Sequence, residues 1–263
     1  MAEFFDSDGV RLAYLDVAPL GPQRRRPILL IHGFASSRRV NWVETGWVDA
    51  LAKSGRRVVA FDNRGHGESA KLYDPAAYRC EIMARDAASL LDRLGLPRVD
   101  AMGYSMGARI AAFLVLAEPQ RVRRLILGGL GDRLVDGFGL PVEIAAAMEA
   151  RSLDDLTDPT QRMFRAFADR GGADRAALAA CLRGSRQALS ETEARRIACP
   201  TLVAVGTRDE VAGDAHRLAA LLPQGRAFDI PRRAHNPAVG DKNFKAAVLA
   251  FLDEDADASF AAP

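Results

Sequence analysis

Gly103-Tyr104-Ser105-Met106-Gly107 sets a serine between two glycines at G-x-S-x-G spacing. An apolar run at 99–102 precedes it and an Ala-rich helical pattern follows, the strand-turn-helix setting that such an elbow requires. Side chains at 103 and 107 would clash with neighbouring backbone in so tight a turn. A serine lifted there, at a helix N-terminus, is suited to nucleophilic attack on a carbonyl, with backbone N–H groups nearby for the developing negative charge.

A serine hydroxyl is a poor nucleophile until a base takes its proton, and the chain has four histidines. His32 ends a strand and precedes the elbow. His66 sits in the turn Asp62-Asn63-Arg64-Gly65-His66-Gly67-Glu68-Ser69. Both read as structural histidines that order loops, and His216 falls inside a helical pattern as a surface residue. His235 follows the last strand on a loop opening the C-terminal helix, so it is the preferred base. The acid behind it is expected to be Asp209, which ends Val205-Gly206-Thr207-Arg208-Asp209; Asp132 and Glu210 are the alternatives. The expected oxyanion donors are the backbone N–H groups of Met106 and Phe34. Tyr104 and Trp42 are candidates for the pocket wall, although Trp42 and Trp47 also suit packing of the first helix.

These residues must be held by a sheet. Short apolar runs at 28–31, 58–61, 99–102, 125–127, 201–205 and 227–230 read as parallel strands covered on both faces. Helical patterns lie between them at 42–53, 78–94, 106–116, 212–222 and 244–252. The stretch around Gly9-Val10 reads as an N-terminal hairpin. Together they predict an α/β fold, a mostly parallel sheet with helices on both faces. The rhythm breaks between 131 and 196, where 142–151, 159–169 and 175–182 look helical. A helical cap inserted at 131–196 would divide the core into 1–130 and 197–263, and would lie over the carboxyl edge where ligands bind in such sheets.

Composition points the same way. Hydrophobic residues make up 49% and charged residues 27%, with a formal net charge of +2. That gives no field for nucleic acid or an anionic membrane surface. Cys80, Cys181 and Cys199 lie far apart, which argues against a disulfide framework or a structural zinc site. The first residues are acidic, no apolar run approaches the roughly 20 residues of a membrane span, and a cytoplasmic location is expected.

With the His32-Gly33-Phe34 loop, D-N-R-G-H-G-E-S at 62–69, G-Y-S-M-G, G-T-R-D and A-H-N-P in this order, the chain resembles the α/β-hydrolase superfamily from about residue 4 to 252. The resemblance implies an eight-stranded sheet with strand two antiparallel, a Ser-Asp-His triad and a helical cap between strands six and seven. It also implies that 62–69 is a fold signature, with Asp62 and His66 structural. Haloalkane dehalogenases and epoxide hydrolases carry Asp at the position of Ser105. Prolyl iminopeptidases and hormone-sensitive-lipase relatives carry oxyanion loops unlike His32-Gly33-Phe34-Ala35-Ser36. The remaining pattern is similar to small carboxylesterases, enol-lactonases and carbon-carbon bond hydrolases. The expected function is therefore serine-dependent cleavage of small to medium carboxylic esters or lactones, needing neither metal nor organic cofactor, by a monomer or homodimer. A perhydrolase or haloperoxidase-like enzyme and a non-enzymatic ligand receptor are the other readings.

Overall fold

The computed structural model describes residues 2–23, 25–137 and 140–254. Eight strands form one sheet: β1 (Glu3–Ser7), β2 (Val10–Val17), β3 (Ile28–Ile31), β4 (Val58–Phe61), β5 (Val99–Tyr104), β6 (Val122–Gly128), β7 (Thr201–Gly206) and β8 (Gly225–Ile230), in the order β1-β2-β4-β3-β5-β6-β7-β8. β1 and β2 form the expected hairpin and β2 runs antiparallel to β4; every later pairing is parallel. The expected α/β sheet with an antiparallel second strand is therefore present.

The helices are α1 (Trp47–Lys53), α2 (Cys80–Arg93), α3 (Met106–Ala117), α4 (Glu143–Glu149), α5 (Pro159–Arg170), α6 (Arg175–Gly184), α7 (Glu191–Ala194), α8 (Ala215–Leu221), α9 (His235–Ala238) and α10 (Lys242–Asp253). Alternating strand residues feed two apolar cores. Leu29, Ile31, Val59, Ala101, Leu125, Leu127 and Val203 pack with α2, α3 and α8 on one face. Ile28, Leu30, Val58, Met102, Ile126 and Leu202 pack with α1 and α10 on the other. Burial on both faces is why these strands carry continuous apolar runs.

Two expected elements differ. The helical pattern at 42–53 divides into a π-type turn at Arg39–Val43 and α1, because Gly46 between them takes φ 75°, a left-handed conformation that no helix continues through. β6 begins at Val122 and so contains Arg123 and Arg124. Arg123 can lie there because its guanidinium forks onto the buried carboxylate of Asp100 in β5, at 2.9 and 2.8 Å.

Helices α4 to α7 lie in the chain between β6 and β7. Ile144, Met148, Phe164, Leu178 and Leu182 join the same core as α3, so this segment is packed rather than extended. Arg109 on α3 ties it down, donating to the carbonyls of Gln187 at 2.6 Å and Arg133 at 2.8 Å. Among the described residues, no helix is long and apolar enough to cross a membrane.

Candidate active site

β3, β5, β6, β7 and β8 run parallel, so the loops that leave them open at one edge of the sheet. β5 ends at Tyr104 and α3 starts at Met106, leaving Ser105 alone in the turn with φ 54° and ψ −114°. Only a crowded, over-determined turn holds a non-glycine residue there. Its glycines explain the crowding. A Cβ on Gly107 would lie 2.0 Å from the carbonyl oxygen of Ile31, and one on Gly103 would lie 2.1 Å from that of Gly107.

The Oγ of Ser105 lies 3.0 Å from Nε2 of His235, and Nδ1 of His235 lies 2.8 Å from Oδ2 of Asp209. The other oxygen of Asp209 accepts the N–H groups of Val211 (2.9 Å) and Ala212 (3.0 Å). The Asp209 carboxylate is fully buried and the His235 ring nearly so. With Asp209 accepting at Nδ1, that nitrogen carries the proton and Nε2 is free to accept the serine proton. Tyr104 donates its hydroxyl to the His235 carbonyl at 2.5 Å, and burial raises its phenol well above the usual value.

The sequence left the acid open among three residues, and the structure brings only Asp209 to His235. Asp132 accepts the N–H of Asp214 (2.8 Å) and faces Arg217 (3.0 Å), bracing the loop before α8. Glu210 is exposed beside a wide cavity of about 730 Å³ that His235 also lines. Of the two wall candidates, Tyr104 borders a cavity shared with Ser105. Trp42 does not: it is fully buried on the α1 and α10 face, 6.4 Å from Trp47 in edge contact. Nearness in the chain to the loop after β3 does not turn its ring towards that loop.

That loop is held on three sides. A Cβ on Gly33 would come within 3.1 Å of the Tyr104 carbonyl and 3.4 Å of the Ser105 Cβ, so the loop passes directly against the elbow. Gly33 N–H donates to Oδ1 of Asn41 at 2.8 Å. Asn63 N–H donates to Nε2 of His32 at 3.0 Å, which puts the proton on Nδ1, donating to the Gly33 carbonyl at 2.8 Å. The N–H groups of Phe34 and Met106 have no acceptor among the described residues. Asn41 was missed from sequence; a lone Asn inside Val40-Asn41-Trp42-Val43 was the available signal, since a buried amide needs a partner.

His32 and His66 are buried side by side, ring centroids 5.2 Å apart, and the histidine that hydrogen-bonds Ser105 is His235. Asp62 accepts the N–H groups of Arg38 (2.7 Å) and Glu68 (2.8 Å) and pairs with the Arg38 guanidinium, closing the 62–69 turn. Burial pushes His32 down to about 4; burial, with His32 as its neighbour, pushes His66 down to about 3. In the unfolded chain both titrate near 6.5. Their contribution to stability is therefore full above about pH 6.5 and is lost as pH falls towards those two values, at up to about 1.4 kcal/mol per pH unit for each. The urea midpoint should fall clearly between pH 7.5 and pH 5; a flat profile would show that these rings charge without cost.

Comparison with known proteins identifies the family to which this fold belongs. The sequence profile of the alpha/beta hydrolase fold matches residues 26–188, more than half of the chain. The chain belongs to the alpha/beta hydrolase family. Within it, the chain is similar to a 2-hydroxy-6-oxononadienedioate/2-hydroxy-6-oxononatrienedioate hydrolase of Burkholderia vietnamiensis, 31% identical over 147 residues, covering 53% of this chain and 49% of that protein. It is similar to epoxide hydrolase B of Mycobacterium tuberculosis, 35% identical over 106 residues, covering 40% of this chain and 29% of that protein. The matched stretches thus span half or less of these two curated relatives. A solved hydrolase from Pseudomonas aeruginosa superposes with a TM-score of 0.78 at 26% identity, covering 96% of this chain and 98% of that one.

Proposed function

We propose that this alpha/beta hydrolase is a serine esterase, cleaving small to medium carboxylic esters or lactones through an acyl-enzyme on Ser105. The observation that carries the reading is the hydrogen-bonded line from Ser105 through His235 to Asp209, with the N–H groups of Phe34 and Met106 left without an acceptor among the described residues. Ser105 Oγ attacks the carbonyl carbon while His235 Nε2 takes its proton. The oxyanion settles on the N–H groups of Phe34 and Met106, each worth on the order of 10²–10³ in turnover. Collapse of the tetrahedral adduct expels the alcohol, which takes the proton from His235. Water, deprotonated by the same ring, then releases the acid and restores Ser105. Asp209 holds the ring in the required tautomer and offsets the imidazolium charge. The helical segment between β6 and β7 acts as a cap, since Leu182, Pro159 and Met163 supply walls to the cavities beside Ser105 and His235.

A second reading is carbon-carbon bond hydrolysis, favoured by the relative from Burkholderia vietnamiensis, whose named substrate is an oxo-dioate without an ester. Epoxide opening is not proposed: the resemblance ties it to an Asp nucleophile, and this chain has Ser105. The test is fluorophosphonate labelling of the wild-type protein, together with stopped-flow hydrolysis of p-nitrophenyl acetate. We expect one label per chain and a burst of p-nitrophenol close to one equivalent. Labelling with turnover of oxo-dienoates but no esters would transfer the assignment to the second reading, and no label at all would end both.

A further inference from the structure

Ser105 and His235 are 130 residues apart in the chain, and one side chain spans the gap between their backbones. Tyr104 ends β5 immediately before the nucleophile. Its hydroxyl donates to the carbonyl of His235 itself at 2.5 Å, and the two rings lie 5.6 Å apart, tilted by 48°. The residue on which the serine turn is built therefore also holds the backbone of the base.

The Tyr104 ring is fixed in place. It is 3% exposed, and the chain carries no side chain at two positions that cover it. A Cβ on Gly128 would lie 2.9 Å from the ring, and one on Gly129 would lie 2.7 Å from it. The end of β6 thus closes directly over the ring. A phenol buried so completely must find an acceptor, and the His235 carbonyl supplies it. Burial, with the negative charge of Asp209 nearby, keeps this donor protonated throughout the working pH range.

His235 needs such a tie because its loop is not part of the sheet. The chain leaves β8 at Ile230 and passes Arg232 at φ 59°, a left-handed conformation rarely taken by a residue with a side chain. Arg232 N–H donates to Thr207 Oγ1 at 2.8 Å, and the Arg233 carbonyl accepts from Arg208 N–H at 3.0 Å. His235 then opens α9, a single turn, whose far end is tied by the indole of Trp47 to the Val239 carbonyl at 2.6 Å. A helix of one turn is marginal alone and takes its orientation from such contacts. We infer that Tyr104 is a positioning residue: its hydroxyl, through the His235 carbonyl, keeps Nε2 within hydrogen-bond reach of Ser105. Without it the turn pivots about its Trp47 end, and a displacement of about 1 Å at the base can cost on the order of 10²-fold in rate. This inference rests on the triad reading of Ser105 and His235, whether the bond cleaved is an ester or a carbon-carbon bond.

The test is Tyr104→Phe, which keeps the ring that Gly128 and Gly129 cover and removes only the donor. Tyr78→Phe is the control: the Tyr78 hydroxyl also donates to a backbone carbonyl, that of Leu72 at 2.5 Å, in a contact that includes neither Ser105 nor His235. Both are measured by the second-order rate of fluorophosphonate labelling and by kcat and KM on p-nitrophenyl acetate. The downfield NMR line of the His235 Nδ1 proton, assigned by its loss in Asp209→Asn, reports the ring directly. We expect labelling and kcat to fall about 10- to 100-fold in Tyr104→Phe with KM within about threefold, and the Nδ1 line to shift or broaden. Tyr78→Phe should leave both rates within about twofold of wild type, although it loses a comparable hydrogen bond. Rates within about twofold in a folded Tyr104→Phe protein, or an equal fall in both variants, would overturn the inference and leave the hydrolase reading intact. A wild type that neither labels nor turns over substrate would end that reading, and the Nδ1 line then decides. Movement in Tyr104→Phe and not in Tyr78→Phe retains the positioning role; a line fixed in both overturns it.

Discussion

Ser105→Ala is expected to lower kcat on p-nitrophenyl acetate by about 10⁵–10⁶-fold and to abolish fluorophosphonate labelling, with far-UV circular dichroism unchanged. Removing the nucleophile of a serine triad costs about as much as removing the whole triad, because the remaining members have nothing to activate. The residue that survives is the catalysis supplied by binding and by the N–H groups of Phe34 and Met106, on the order of 10³–10⁴ over water. Alanine also tolerates the local backbone no better than serine. Ser105 sits at φ 54°, so the substitution exchanges one strained L-residue for another and should leave stability within about 1 kcal/mol. Activity retained within tenfold in a folded Ser105→Ala protein would mean that another group attacks the carbonyl.

The sheet was legible because burial on both faces writes an unmistakable pattern. Ile28 to Ile31 and Val58 to Phe61 are unbroken apolar runs, and each became a strand of those bounds. The pattern failed where a polar partner replaced apolar contact. Arg123 gives no apolar signal; its fork onto Asp100 and its bond to the Leu252 carbonyl make it compatible with the strand. Helix bounds failed where one left-handed residue overrode a periodic stretch, as Gly46 does between Trp42 and Trp47.

Within the site, Ser105 and His235 could be chosen because the chain offers few competitors: one elbow and four histidines. Acids offered no such economy. Asp132 and Asp209 both follow parallel strands at the same edge of the sheet, and sequence order alone cannot see that Asp214 and Arg217 occupy Asp132. Trp42 and Ser36 show the same limit from opposite sides. Both lie within ten residues of His32, yet the Trp42 ring packs into the α1 and α10 core while Ser36 borders the cavity beside Ser105. Side-chain direction after an irregular turn is set by the tertiary neighbours of that turn, and no periodicity encodes it.

Asp209→Asn is the sharpest test of the acid, and it should cost kcat about 10⁴-fold while Asp132→Asn changes it by less than about threefold. The argument runs through the backbone donors of the loop after β7. Val211 and Ala212 present two N–H groups to Oδ1 of Asp209, so the amide oxygen of an introduced Asn is claimed there. Its NH₂ is left facing His235, which forces Nδ1 to accept and moves the ring proton to Nε2. A protonated Nε2 can no longer take the proton of Ser105, 3.0 Å away, and no carboxylate remains to offset the imidazolium charge. The loss should therefore appear in kcat, with little change in KM and with the serine itself still in place. At position 132, Asn keeps an acceptor for the Asp214 N–H and loses only one half-exposed contact with Arg217, a change worth about 1 kcal/mol or less in stability. Steady-state kinetics and urea denaturation of the two variants side by side separate the roles, because the first should lose rate without stability. If Asp132→Asn were the slower enzyme, the hydrogen bond between His235 and Asp209 would have to be structural, and the loop after β6 would have to swing to His235 during turnover.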